Sequence, residues 1–598
     1  MDDFKQQELA KLFYKELLKI HQGKLDERGK IDGLYFLINL IFVEATREER
    51  LQFSTAFARL AFVFQKHKVE KKVQFWIHSF RRERWNLSNY KEKTTPKDIY
   101  ELGVKATAEG ISSIFNQKIN KEVKAIIAAK NTFVYTPVAI KEFRKRARVV
   151  LLEDDEVKQE FVGKDEENPT EIIQIRYNIA DQNENFNATV REIRSNFGFP
   201  ITVNLIDVGI DKDGVYRPRA FVVDPDYLVD VSAISECFKE FGTEPLLYLL
   251  KKFMPFESTK YLMIGNIANF FLDELMTNPE ATFKETFPRV FRLNPLAFVL
   301  FEESVMREIW QKSQKHFLNL KRYVVQEFKK FEIEPQDCFI EPSFFSERYG
   351  IQGRLDAFYI GEEKSAIIEL KSGKAYMPNR YGISNNHFTQ TLLYDLIVRS
   401  VYQDKVEPVN YIFYSGIDDR QLRYAPAIKA QQFEAIQTRN QILAIEKRLE
   451  SAGSQDFKNI FHRLSPGRFP QIKGFLAADL AKFEKTYQGM TDLEREYFHA
   501  FCGFISREHR LAKVGQEGVE NLNGHAGLWR DAFVDKEANF DLLGFLEIAE
   551  NKVREEAPLL VFNRTEKTHP LANFRNGDIA ILYPYQAEKT SVLNSQIF

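Results

Sequence analysis

The sequence predicts a multidomain α/β protein, and three observations predict it. The chain has 598 residues, enough for about three to five domains of ~100–200 residues each. It is 44% hydrophobic and 28% charged, the balance of a globular chain in water. Its apolar spacing switches along the length, from steps of three and four to alternation and back.

The elements follow in order. Residues 1–132 read as helical, because apolar residues recur at helical spacing, as in LQFSTAFARLAFVF. The run LYFLINLIFV (Leu34–Val43) is the most apolar. It is about half the ~20 residues that span a bilayer, so a buried helix is expected and no membrane partner. Lys66–Trp85 is basic with interleaved aromatics and reads as an amphipathic helix with a solvated basic face. A nucleic-acid or partner surface is the sharper alternative. Residues 133–230 carry short Val/Ile-rich runs, RARVVLLED, EIIQIRYNIA, ITVNLIDVGI and RAFVVD, with a turn at Asp213-Gly214. A small OB-like β-barrel is the expectation. Residues 231–430 mix helix and strand, and residues 431–550 are mainly helical. Thr491-Asp492-Leu493-Glu494 starts one of those helices as a capping box. Over 551–598 strands return, in APLLVFNR and GDIAILYP, and the chain stops soon after a strand. A partial β-barrel, cut short, is expected there.

Charge and cysteine usage narrow the class. Lys+Arg (84) nearly cancel Asp+Glu (85), so any nucleic-acid surface has to be local. The three cysteines, Cys237, Cys338 and Cys502, form no CxxC pair. With no apolar signal core at the N-terminus, the cytoplasm is the expected compartment.

The chemistry is concentrated in GRLDAFYIGEEKSAIIELKSGKAY, from Gly353 to Tyr376. Gly361–Lys364 reads as a turn between two strands. Folding about it sets Ile360 against Ser365, Tyr359 against Ala366 and, in continued register, Asp356 against Glu369. Directly opposed side chains have Cβ atoms ~4.5–5.5 Å apart, so two carboxylates there repel unless a cation lies between them. Lys371 is two residues beyond Glu369 and projects from the same face. Two acids and a lysine suit phosphodiester hydrolysis, with oxygen ligands for Mg²⁺ or Mn²⁺ and an ammonium beside the attacking water. A surface salt-bridge cluster is the alternative.

The order Gly-x-x-Asp (Gly353, Asp356), Glu-x-Lys (Glu369, Lys371) and Gln-x-x-x-Tyr (Gln390, Tyr394 in FTQTLLYDLIV) resembles the RecB-like branch of the PD-(D/E)xK nucleases. The resemblance implies a restriction-endonuclease-like core. In it Asp356, Glu369 and the Leu370 carbonyl hold metal, Lys371 assists the water, and Gln390 and Tyr394 support the site. Over about 220–585 the sequence is similar to the nuclease part of the helicase–nucleases that trim Okazaki flaps. SFFSERYGIQGRLDAF, Ala220–Phe238, Met263–Leu275, GLWRD and NFRNGDIAILYP carry that likeness. It implies single-stranded or flap DNA as substrate, a helical stalk over 431–550, a following superfamily 1 helicase as partner, and work in DNA replication, repair or defence.

Departures from the family matter as much. Many members carry a metal-binding His on the first nuclease helix; this chain has Asn269, whose amide oxygen is a weaker ligand. His387 reads as a loop histidine, and Glu341 as a further carboxylate. Relatives often hold a [4Fe–4S] cluster, which needs four thiolates. Cys237 stands where the first would be and the other three are missing, so no cluster is expected. None of the Gly-Lys pairs at Gly23, Gly29, Gly163 and Gly373 is followed by Ser or Thr, so no ATP site is expected in these residues. The competing reading is a weakened nuclease fold serving as a scaffold for DNA or a partner, with Asn269 marking the lost activity.

Overall fold

The computed structural model describes residues 3–49, 56–88, 94–128, 133–135, 140–255, 259–373, 375, 381–515, 524–531, 533–553, 559–571, 574–578, 580–583 and 593. Six α-helices lie between Asp3 and Ile126 among them. They enclose one core that includes Leu17, Leu34, Ile38, Phe80, Leu102 and Ile111. The apolar run at Leu34–Val43 lies within Glu27–Ala45 and is not enclosed on all sides. Leu34, Leu37, Ile38, Ile41 and Phe42 are buried, whereas Phe36 is 69% exposed. The basic stretch keeps Lys71 and Lys72 exposed. Its helix, Lys71–Ser88, buries Val73, Trp76, Ile77, His78, Ser79 and Phe80. Val73, Trp76, Ile77 and Phe80 enter the core of the helical unit, and His78 turns toward carboxylates of the next unit. There His78 Nε2 is 3.2 Å from Asp181 and Nδ1 is 3.1 Å from Glu184.

That next unit is a sheet of six strands: β1 (Ile140–Asp155), β2 (Glu160–Asp165), β3 (Asn168–Arg176), β4 (Ile201–Asp211), β5 (Tyr216–Arg217) and β6 (Ala220–Val223). Pairing runs β1-β2-β3-β5-β4, and β4 returns to β1, so the circuit closes; β6 adds to β4. Only the β3–β5 contact in this circuit is parallel. Helix α1 (Asn187–Glu192) lies between β3 and β4. The expected turn is present: Asp211 Oδ1 accepts from the amides of Asp213 and Val215. Gly214 takes φ 78°, a conformation that favours glycine.

The mixed region is organised by a second sheet. A separate three-stranded sheet lies between it and the barrel-like unit in the chain's pairing: β7 (Val229–Asp230) runs parallel to β10 (Ile351–Arg354), and β9 (Ser343–Ser346) pairs with β10. The main sheet has the order β8 (Cys338–Ile340), β11 (Ala357–Ile360), β12 (Ser365–Lys371), β13 (Val409–Tyr414), β14 (Leu422–Tyr424). Only β12–β13 is parallel. A parallel pair needs a crossover, and before β13 the chain makes helix α4 (Asn385–Val401). Helices α2 (Lys260–Thr277) and α3 (Glu303–Arg322) share a core with Ile368 and Leu370 of β12. Leu393, Ile397 and Val398 of α4 share the other core with Ile367. Alternate residues of β12 therefore enter opposite layers.

Beyond the sheet come α5 (Lys429–Ser451), two further helices, and α6 (Asp492–Val514). The capping box of α6 is formed by Thr491 and Glu494 as expected. Near the C-terminus β15 (Leu546–Asn551) pairs antiparallel with β16 (Leu560–Arg564). GDIAILYP shows a single bridge residue, Ile581, among its described residues, and most of the final SVLNSQIF lies outside them. The whole is a mixed α/β chain of several units. No helix among the described residues is long and apolar enough to cross a membrane.

Candidate active site

The hairpin register is the expected one. Ile360 pairs with Ser365, Tyr359 with Ala366 and Ala357 with Ile368, which carries Asp356 to the level of Glu369. The loop closes through the Gly361 amide donating to the Lys364 carbonyl at 2.8 Å. Asp356 itself is in the bend between β10 and β11 rather than in the ladder. Freed from the pleat, its carboxylate turns toward β12, where Oδ2 accepts from the Leu370 amide at 2.6 Å.

Around this pair the predicted residues converge. Glu369 is buried, at 3% exposure. Its Oε1 accepts from Lys371 Nζ at 2.7 Å and from Gln390 Nε2 at 2.6 Å. Gln390 also reaches the Tyr394 hydroxyl at 3.2 Å, and that hydroxyl donates to the Arg354 carbonyl at 2.7 Å. The i, i+4 spacing on α4 puts both side chains on one face, which packs over the β12 layer that holds Glu369. From the other layer, α2 brings Asn269 Nδ2 to 3.5 Å from Asp356 Oδ1.

The electrostatics match the geometry. Burial first, and then repulsion by Glu369, pushes the Asp356 carboxyl well above its usual range. Burial works to lower Lys371, but Glu369 and Asp356 outweigh it and hold the ammonium above its ordinary value. Burial and the Glu369 charge push the Tyr394 phenol up. The second oxygen of Glu369, Oε2, is buried with no hydrogen-bond partner among the described residues. A buried carboxylate oxygen left without a donor is costly, and a cation there would relieve both it and the repulsion from Asp356. The groups shown to converge are the carboxylates of Asp356 and Glu369, with Asn269 presenting its amide nitrogen to Asp356. Among the described residues no three His, Cys, Asp or Glu side chains form a group placed to hold a metal ion.

The remaining sequence candidates lie to the side. His387 Nδ1 is 3.0 Å from the Tyr414 hydroxyl. Burial, and then the Lys371 charge, lowers its pKa to about 3, so the ring stays neutral. Glu341 pairs with Arg354 at 3.2 Å, and only its backbone meets Asp356, through N–H to the Asp356 carbonyl at 3.0 Å. Cys237 is fully buried in the core shared by the barrel-like unit and α4. Asp273, one turn after Asn269, was missed. Burial, then the charge of Glu341, raises its carboxyl to about 7. Its position, i+4 from Asn269, falls on the same face of α2, but its approach to Glu341 has no local signal in the sequence. No protein-family model matches this chain, and no curated protein matches it significantly.

Proposed function

We propose that this chain is a divalent-metal-dependent deoxyribonuclease with a RecB-like PD-(D/E)xK core. The observation that carries the reading is the unpartnered, buried Glu369 Oε2 beside a second carboxylate. Mg²⁺ is commonly bound through one or two carboxylates while keeping several waters, and the paired carboxylates of Asp356 and Glu369 fit it. Asp356, Glu369 and the Leu370 carbonyl are the ligands, with Asn269 facing the Asp356 side. When bound, Mg²⁺ or Mn²⁺ polarises the scissile phosphate and lowers the pKa of a bound water. The chain's own residues do the rest. Lys371, charged and anchored on Glu369, presents an ammonium to the attacking water and to the charge that develops on phosphorus oxygens. Gln390 fixes the rotamer of Glu369, and Tyr394 fixes Gln390 by tying it to the Arg354 backbone.

The closed strand circuit over 140–223, with its β1-β2-β3-β5-β4 order and intervening helix, supports an OB-like reading. Such a unit stacks bases of a single strand with little sequence preference. On this reading the substrate is single-stranded or flap DNA. The role is that of the nuclease part of a helicase–nuclease in replication, repair or defence, with a superfamily 1 helicase as partner.

Incubation with labelled single-stranded DNA and Mn²⁺ or Mg²⁺ tests the reading. The chain should cleave, and Glu369→Ala should reduce cleavage by at least ~100-fold, since metal catalysis supplies several kcal/mol. DNA binding should survive, because Glu369 offers no donor to phosphate. No cleavage by the parent chain, or an equal loss of binding and cleavage in the variant, would refute the assignment.

A further inference from the structure

The first turn of α2 carries an arrangement that the hydrolytic site does not use. Tyr261 is 60% exposed, so most of its ring forgoes the stabilisation that burial would give. Two ammonium groups flank it: Lys260 Nζ is 5.3 Å and Lys312 Nζ 5.5 Å from the ring centroid. Glu308 of α3 positions both, accepting from Lys260 at 2.7 Å and from Lys312 at 2.7 Å. Those two bonds lower the Glu308 pKa to about 2. With both ammonium groups lying over the ring, the trio sets one net positive charge against a largely exposed aromatic side chain.

Helix α2 connects this face to the carboxylates. Tyr261, Gly265 and Asn269 follow at i, i+4 and i+8, a single stripe. A Cβ on Gly265 would lie 3.5 Å from Ser372 Oγ, so the stripe passes beside the residue that follows Lys371. It ends at Asn269, 3.5 Å from Asp356. Eight helical residues span about 12 Å, which is no more than about four stacked nucleotides.

We infer that Tyr261, with Lys260 and Lys312, is a stacking platform that holds a base and its phosphate of a single strand a few nucleotides from the scissile bond. The inference rests on the nuclease reading and names a positioning surface for it. An aromatic ring offers a π-face to any base, and flanking ammonium groups meet the backbone. Stacking is sequence-tolerant, so the platform fits a strand of any sequence.

The test uses the full chain in the Glu369→Ala background, with fluorescence anisotropy of a 5′-labelled oligothymidylate. Adding Tyr261→Ala should weaken binding at least ~5-fold, while Tyr261→Phe, which keeps the ring, should bind as the background does. Lys312→Met should lower the slope of log K against log salt by about 0.7. With Glu369 intact, Tyr261→Ala should act mainly on KM rather than kcat, because the ring touches no reacting atom. Unchanged affinity in Tyr261→Ala overturns the inference, as does an equal loss in Tyr261→Phe. A parent chain that does not cleave refutes the nuclease reading alone, since the anisotropy measurement still decides whether the platform binds DNA.

Discussion

A methyl group on Gly353 would lie 2.7 Å from Cε1 of Tyr394 and 3.2 Å from Val231. The glycine of Gly-x-x-Asp therefore serves the site without touching it. It lets the Tyr394 ring lie against β10, so that its hydroxyl reaches the Arg354 carbonyl and holds Gln390 against Glu369. Gly353→Ala should cost about 1–3 kcal/mol of stability, as overpacking does. Cleavage should fall as Gln390 loses its anchor. Thermal melting and cleavage rates together check this, and a variant that melts and cleaves like the parent would refute it. The two halves of this chain of contacts were legible locally, whereas the links between them, Gln390 to Glu369 and Tyr394 to Arg354, rested on the family resemblance. A hairpin register sets Asp356 against Glu369, and one helical turn sets Gln390 beside Tyr394. Asp273 was not legible in the same way. Its environment depends on Glu341, sixty-eight residues on in sequence, and no local pattern brings those acids together.

At the scale of elements, the decisive piece is α2, because it reaches Asp356 from the layer opposite α4. Asn269 faces the carboxylates rather than the apolar core formed by Ile264, Ile267, Ala268 and Phe271. A histidine here would point an imidazole toward Asp356. Nitrogen suits Mn²⁺ better than Mg²⁺, so Asn269→His should lower the Mn²⁺ concentration needed for half-maximal cleavage, with a smaller change for Mg²⁺. Metal titrations of both proteins check it; a parallel shift for both ions, or a drop in melting temperature with unchanged metal dependence, would count against it. The elements themselves were readable where their signals are periodic or capped, as in α4, α6 and the hairpin. The basic run within Lys66–Trp85 was readable as amphipathic: its aromatic face enters the core of its own helical unit, and Lys71 and Lys72 stay exposed. His78 was not readable, because its burial depends on Asp181 and Glu184 of the next unit.

Across the whole molecule, buried charged groups join the units alongside a shared apolar core. Arg439 of α5 is fully buried and donates to the carbonyls of Gly350 (3.0 Å), Asp224 (2.9 Å) and Tyr227 (2.6 Å), and to that of Val223. One side chain so ties the barrel-like unit to the strand that leads into the hairpin. The three cysteines fall in separate apolar cores, Cys237, Cys338 and Cys502 each with different neighbours. They therefore sit as small buried or half-buried residues rather than as a ligand set. The helical N-terminal unit is joined to the barrel-like unit by His78. Its ring is 1% exposed between Asp181 and Glu184, with Lys71 3.6 Å from Asp181 on the same side. Burial opposes the imidazolium, but the two carboxylates outweigh it and raise its pKa. A histidine raised in the folded state contributes stability that is fully present below its unfolded pKa of about 6.5. That stability is lost as pH rises through the higher folded value. His78→Gln should therefore destabilise the protein most near pH 6, by about 1.5–3 kcal/mol for hydrogen bonds to charged partners, and progressively less toward pH 9. Melting curves of parent and variant across that range check the sign. Hydrogen exchange along Lys71–Ser88 locates the effect, and a stability difference that does not change with pH would show that the ring is neutral where it joins the two units.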